Sequence, residues 1–245
     1  MKRFISAPRR WQALTLAMVT VALLGACAPL PPQTPEFQVG RARMVLPQGA
    51  WEDLGVTDEV IPLLPEVGGR IPLQTRAVAL RGVKQELLAV MLVQTNSTNY
   101  PRDHTLWTGG CPQQKDVIVE DMTRGGRVGL DCLRFKRWAS NGQWLEKNLP
   151  AVNTWLGQRQ LAITQPYSYV GYRYATEGGA LVIVDAVVDQ RLLRPVTRDN
   201  EAFLVAGRPG ERWGRDLAQA ARVSAGMMDG FLAIPPFPYA EPAAK

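Results

Sequence analysis

Two runs, Tyr167–Tyr174 (YSYVGYRY) and Ala180–Val188 (ALVIVDAVV), flank Ala175-Thr176-Glu177-Gly178-Gly179. Aromatic and β-branched side chains suit a pleated, half-buried surface, and the glycines permit a reversal, so the stretch predicts a β-hairpin. Gln74–Leu80 and Leu87–Val93, joined through Arg81-Gly82-Val83-Lys84, predict a second strand pair with the glycine supplying the turn. Pro150 suits the first turn of a short helix running to Arg159, because a missing N–H is harmless there. A longer helix is expected over Glu211–Asp229. Its buried stripe would carry Trp213, Leu217, Ala220, Ala221, Ser224, Met228 and Phe231, with Gly230 at its end and Pro235-Pro236 forbidding continuation. Strands and a packing helix in unequal blocks predict an α+β fold: an antiparallel sheet with a packing C-terminal helix, in a single domain.

Ahead of this body, Met1–Gln12 is positively charged, Ala13–Leu24 is free of charge, and Gly25-Ala26-Cys27 follows at once. An apolar helix of this length spans about 18 Å, too short for a bilayer core about 30 Å thick, and fits the core of an export signal. Leu24-Gly25-Ala26-Cys27 resembles the lipobox of bacterial lipoproteins. The resemblance implies cleavage before Cys27, diacylglycerol in thioether linkage to its sulfur, and acylation of the freed amine. More than one acyl chain gives stable anchoring. Under that family's sorting rule, Ala28 in place of aspartate implies the outer membrane of a Gram-negative cell, with the body in the periplasm. The prolines between Ala28 and Pro35 predict a semi-rigid spacer. The chain thus divides into a signal peptide over 1–26, a lipidated cysteine and proline-rich tether over 27–35, and a periplasmic α+β domain over 36–245.

The formal net charge of +6 raises the question of nucleic acid. Lys2, Arg3, Arg9 and Arg10 belong to the signal segment, and without them 24 basic side chains meet 22 acidic ones. The sequence holds no zinc-finger spacing, RNP-type strand or basic helix, so no nucleic-acid partner is expected. Beyond Cys27, Cys111 and Cys132 remain, an even number in an oxidising compartment, which predicts a Cys111–Cys132 disulfide. Two free buried thiols are the alternative.

Catalytic patterns are sparse. His104 is the sole histidine, which excludes H-E-x-x-H zinc sites, and no G-x-S-x-G elbow offers a nucleophile. Glu120 and Asp121 close the Val117–Val119 strand. Paired carboxylates serve glycoside hydrolysis, but neighbours on a strand point to opposite faces. Asp185 interrupts an apolar run, with Arg173 its natural partner across the hairpin. Arg124, Arg127, Arg134, Lys136 and Arg137 cluster near the second cysteine and could meet anionic lipid or an acidic partner, although Glu120, Asp121 and Asp131 dilute the charge. Trp51, Trp107, Trp138, Trp144 and Trp155 exceed the needs of a small core, so lining of a groove is weighed against simple packing.

The expectation is a non-catalytic outer-membrane lipoprotein without metal or cofactor. It would be anchored to the membrane by lipid and partnered by an envelope protein in an accessory or assembly role. One alternative is a small-molecule or lipid binding module seated between the tyrosine-rich sheet and the C-terminal helix. The other is an envelope-polymer hydrolase using Glu120, Asp121 or His104.

Overall fold

β-Strands dominate the computed structural model of the protein, which describes residues 34–62, 70–98, 107, 110–123, 128–163, 166–195, 197–206, 208–227 and 230–239. In chain order the strands are β1 (Glu36–Val39), β2 (Ala42–Val45), β3 (Ala50–Pro62), β4 (Arg70–Arg81), β5 (Leu87–Asn96), β6 (Ile118–Asp121), β7 (Val128–Lys136), β8 (Tyr167–Thr176), β9 (Leu181–Asp189) and β10 (Phe231–Ala233). The helices are α1 (Trp144–Asn148), α2 (Pro150–Gln158), α3 (Gln190–Leu193), α4 (Asn200–Ala206) and α5 (Pro209–Gly226). Seven strands form one sheet in the order β3-β4-β5-β9-β8-β7-β6, every pairing antiparallel. β1, β2 and β10 make a smaller sheet in which β10 runs parallel to β2. Thr34–Lys245 is one compact unit, an α+β domain with its C-terminal helix packed on the sheet.

Both expected hairpins form. β8 and β9 pair from Tyr167↔Asp189 to Ala175↔Leu181, and Gly179 takes φ 91° at the reversal. β4 and β5 are also neighbours, but Gly82 is not the left-handed residue of their turn. Gln85 is, at φ 64°, with its amide donating to the Gly82 carbonyl at 3.0 Å.

One face of the large sheet lies beneath α5 and the small sheet. Pro209 opens α5, where its missing N–H costs nothing, and Trp213, Leu217, Ala218, Ala221 and Ser224 make the buried stripe. The helix starts and ends earlier than the sequence suggests. Met227 is already extended (φ −95°, ψ 142°), Phe231 belongs to β10, and Met228 lies outside the described residues. Val78, Met91, Leu133, Val170, Tyr172 and Val184 supply the strand side of this core.

The opposite face carries two separate apolar clusters. α1 and α2 bring Trp144, Leu145, Leu149, Val152 and Leu156 onto Ala79, Val90, Tyr169 and Val187. Near the other strand ends, Ile71, Leu73, Leu130, Ala175 and Leu181 pack with Trp107 and Cys111. Between the clusters one row crosses the sheet in register: Ala77, Leu92, Asp185, Gly171, Arg134 and Val119. An acid and a base two strands apart therefore share this face, with a glycine between them.

Candidate functional site

The carboxylates that could have formed an acid–base pair do not converge. Glu120 stands in register with Leu133, on the α5 side, and accepts from Arg215 Nε at 2.8 and 3.2 Å. Asp121 is in register with Cys132 on the other face, and its Oδ1 accepts the Thr123 amide at 3.0 Å. His104, Arg124, Arg127 and Cys27 lie outside the described residues.

Asp185 has a different partner from the one its sequence context suggests. Arg173 is in register with Ile183, and the hydrogen bond to Asp185 comes from the Tyr169 hydroxyl at 2.6 Å. Gly171 makes this possible, because a Cβ there would lie 2.0 Å from Tyr169 Oη. The ring thus lies along its own strand, over the glycine. Burial holds the Asp185 carboxyl above the usual carboxylate range, opposed by the Tyr169 hydrogen bond and the charges of Arg173 and Arg134. Burial, reinforced by the Asp185 charge, also raises the Tyr169 phenol well above its ordinary value.

The junction between the tyrosine-rich sheet and α5 is filled. Tyr172, Trp213 and Leu217 are fully buried there and leave no open space between them. Tyr172 donates to Asp131 Oδ1 at 2.9 Å, beside the Arg222 guanidinium. Burial and the Asp131 charge push the Tyr172 phenol upward.

Open space lies instead where β7 turns into α1. A cavity of about 530 Å³ is lined by Asp116, Lys136, Arg137, Trp138, Asn141, Trp144, Lys147 and Asn148. Its wall is built from the disulfide outward. Cys111 and Cys132 are bonded, with Cα atoms 5.5 Å apart, which ties the segment carrying Gln114 and Asp116 to β7. The Gln114 carboxamide oxygen accepts from Arg134, and its nitrogen donates to Asn148 Oδ1. Asn148 Nδ2 in turn donates to the Trp144 carbonyl at 2.7 Å. These contacts fix a rigid edge to the cavity.

Its two indoles differ in role. Trp144 is 8% exposed, with the Tyr169 ring 5.4 Å away and Lys136 Nζ 6.0 Å from its own ring centroid. Its Nε1 is buried without an acceptor among the described residues. Trp138 is 38% exposed, and the Arg194 guanidinium sits 5.5 Å from its ring centroid. Arg137 reaches Glu211 at 3.5 Å, whereas Lys136 and Lys147 form no ion pair among the described residues.

Part of this site was visible in the sequence as a basic cluster and a surplus of tryptophans. Gln114, Lys147 and Asn148 were missed, since polar residues scattered along the chain give no signal until the fold gathers them. Among the described residues, no three His, Cys, Asp or Glu side chains are placed to hold a metal ion. Nor is any helix among them long and apolar enough to cross a membrane. No family model, curated protein or solved structure matches the chain.

Proposed function

We propose that the protein is a lipid-anchored, non-catalytic component of a bacterial cell envelope. Acyl chains on Cys27 hold it at the outer membrane, facing the periplasm, where its body binds another envelope component in an accessory or assembly role. The observation that carries the reading is the cavity, whose cations, indoles and carboxamides are recognition groups. Asp116 is the carboxylate among its described lining residues, and the acids placed elsewhere in the body are engaged in holding the fold. Asp131 is bound by Tyr172 and Arg222, Glu211 by Arg137 and Arg208, Asp189 by Arg191, and Glu120 by Arg215. A general acid or base must face a reacting proton at hydrogen-bond distance, and acids pinned this way are poor candidates. The anchor rests on the lipobox-like Leu24-Gly25-Ala26-Cys27 after a short apolar run.

Mass spectrometry of the native N-terminus is expected to find diacylglycerol on Cys27 and an acylated amine. A bare thiol, or a retained leader, refutes the anchor. Cross-linking in intact envelopes followed by pull-down is expected to recover a stable partner. A monodisperse protein with no partner refutes the binding role.

A small-molecule binding module is the second reading, favoured by the cavity volume, which lies within the roughly 300–1,000 Å³ of ligand pockets. The seat is then the β7–α1 cavity.

A further inference from the structure

We propose that the cavity between β7 and α1 binds an acidic saccharide, a pyranose carrying a carboxylate or phosphate. This rests on the reading of the body as a binding protein and specifies the chemistry of what it takes.

Charge is the first argument. Among the described lining residues, Lys136, Arg137 and Lys147 are set against one carboxylate, Asp116. Arg137 shares its guanidinium with Glu211, which leaves the two ammonium groups of Lys136 and Lys147 without an anionic partner among the described residues. Each offers three donors, and hydrogen bonds from an ammonium to an oxyanion are about twice as strong as neutral ones.

The second argument is the apolar plane beside those charges. Trp138 is among the cavity's lining residues and is 38% exposed, with the Arg194 guanidinium 5.5 Å from its ring centroid. The C–H face of a sugar ring can lie on an indole, with its hydroxyls free at the ring edge. A bare inorganic anion uses no such plane, and a purely apolar ligand leaves the lysines unpaired. Asn141 supplies an exposed carboxamide, a donor and an acceptor suited to hydroxyls.

The third argument is rigidity. Arg134, Gln114 and Asn148 hold one another, and Trp144 packs on Tyr169, so Asn148 and Trp144 are in place before a ligand arrives and the ordering cost falls on the lysines. A concave, preformed site of this kind suits a discrete molecule better than a flat bilayer surface.

Calorimetric titration of the lipidated protein in detergent tests the proposal with four probes: trigalacturonate, glucose 6-phosphate, maltotriose and inorganic phosphate. Binding of either acidic sugar at least tenfold tighter than both maltotriose and phosphate is expected, and the better probe identifies the acidic group. Trp138→Ala, and separately Lys136→Ala with Lys147→Ala, are expected to weaken that binding at least tenfold, with thermal unfolding checked in parallel. Phosphate or maltotriose binding as tightly as the acidic sugars overturns the proposal, as does unchanged affinity in the folded variants. If pull-down recovers a partner but no acidic sugar binds, the saccharide assignment falls while the envelope-binding reading stands.

Discussion

Arg222 of α5 grips Asp131 of β7 by two hydrogen bonds, Nε to Oδ2 at 2.8 Å and Nη2 to Oδ1 at 2.9 Å. The same carboxylate accepts the Tyr172 hydroxyl, and the guanidinium lies 5.5 Å from the centroid of that ring. The contact joins the C-terminal helix to a strand 91 residues earlier. It makes the helix a fixed cover for the sheet.

Removing the guanidinium strands a carboxylate that is 5% exposed. Breaking a fully buried pair costs about 3–5 kcal/mol, but the partial exposure of Arg222 screens this one, and Arg222→Ala is expected to cost about 2 kcal/mol. Tyr172→Phe, which deletes one hydrogen bond, is expected to cost about 1 kcal/mol. Urea unfolding measures both. An Arg222→Ala protein as stable as wild type would show that the clasp contributes nothing.

Gly171 is the hinge of the other polar contact. A methyl group there meets Tyr169 Oη at 2.0 Å and Cζ at 2.6 Å, while Trp144 packs against the same ring and limits its escape. Gly171→Ala is therefore expected to destabilise by about 1–3 kcal/mol through overpacking. Combined with Tyr169→Ala, it should cost less than the two single changes added, because the clash is gone. A strictly additive double mutant, measured in the same unfolding assay, refutes the proposed contact.

The legible parts of the fold were those whose side chains obey a simple pattern. β8 and β9 stand out as near-continuous apolar and aromatic runs because both their faces are covered, and α5 shows its stripe because solvent covers its other side. β3 gave no such signal. It is an edge strand rich in acids, held by its long backbone ladder to β4 and carrying exposed cross-strand pairs such as Glu52 with Arg81 and Asp58 with Gln74. β7 was hidden for a related reason. Its Leu133 and Phe135 enter the core while Cys132 and Arg134 take the opposite face, so its charges read as a surface cluster. The cavity needs β7, the disulfide-tied segment and α1 together, and no local window of sequence contains all three.

The disulfide links stability to that cavity. Cys111 and Cys132 are 21 residues apart, and closing a loop of this length is worth about 3 kcal/mol in the chain-entropy model. The paired Cys111→Ser and Cys132→Ser variant is expected to lose about that much in urea unfolding. Gln114 and Asp116 lie just past Cys111, so ligand affinity should fall in the variant even at temperatures where the sheet remains folded. A variant with lowered stability and unchanged affinity would separate the disulfide from the site.

Asp185 gives a pH dependence with a definite sign. Burial, its main perturbation, places the folded carboxyl above the unfolded reference of 3.8. Below that reference both states hold a neutral carboxyl, and no penalty exists. As pH rises, the unfolded chain releases its proton first, so it binds fewer protons than the native state and stability falls until the folded group has also ionised. Asp185→Asn removes this cost while keeping an oxygen to accept the Tyr169 hydroxyl. Losing the counter-charge to Arg173 and Arg134 opposes the gain, but those charges rank below burial. The asparagine protein is therefore expected to melt above wild type at pH 7, with the gap closing as the pH is lowered toward 3.8. Melting curves collected across that range decide the matter: an asparagine variant that melts lower at pH 7, or whose gap ignores pH, would mean that the charged form of Asp185 is welcomed by Arg173 and Arg134 rather than merely tolerated.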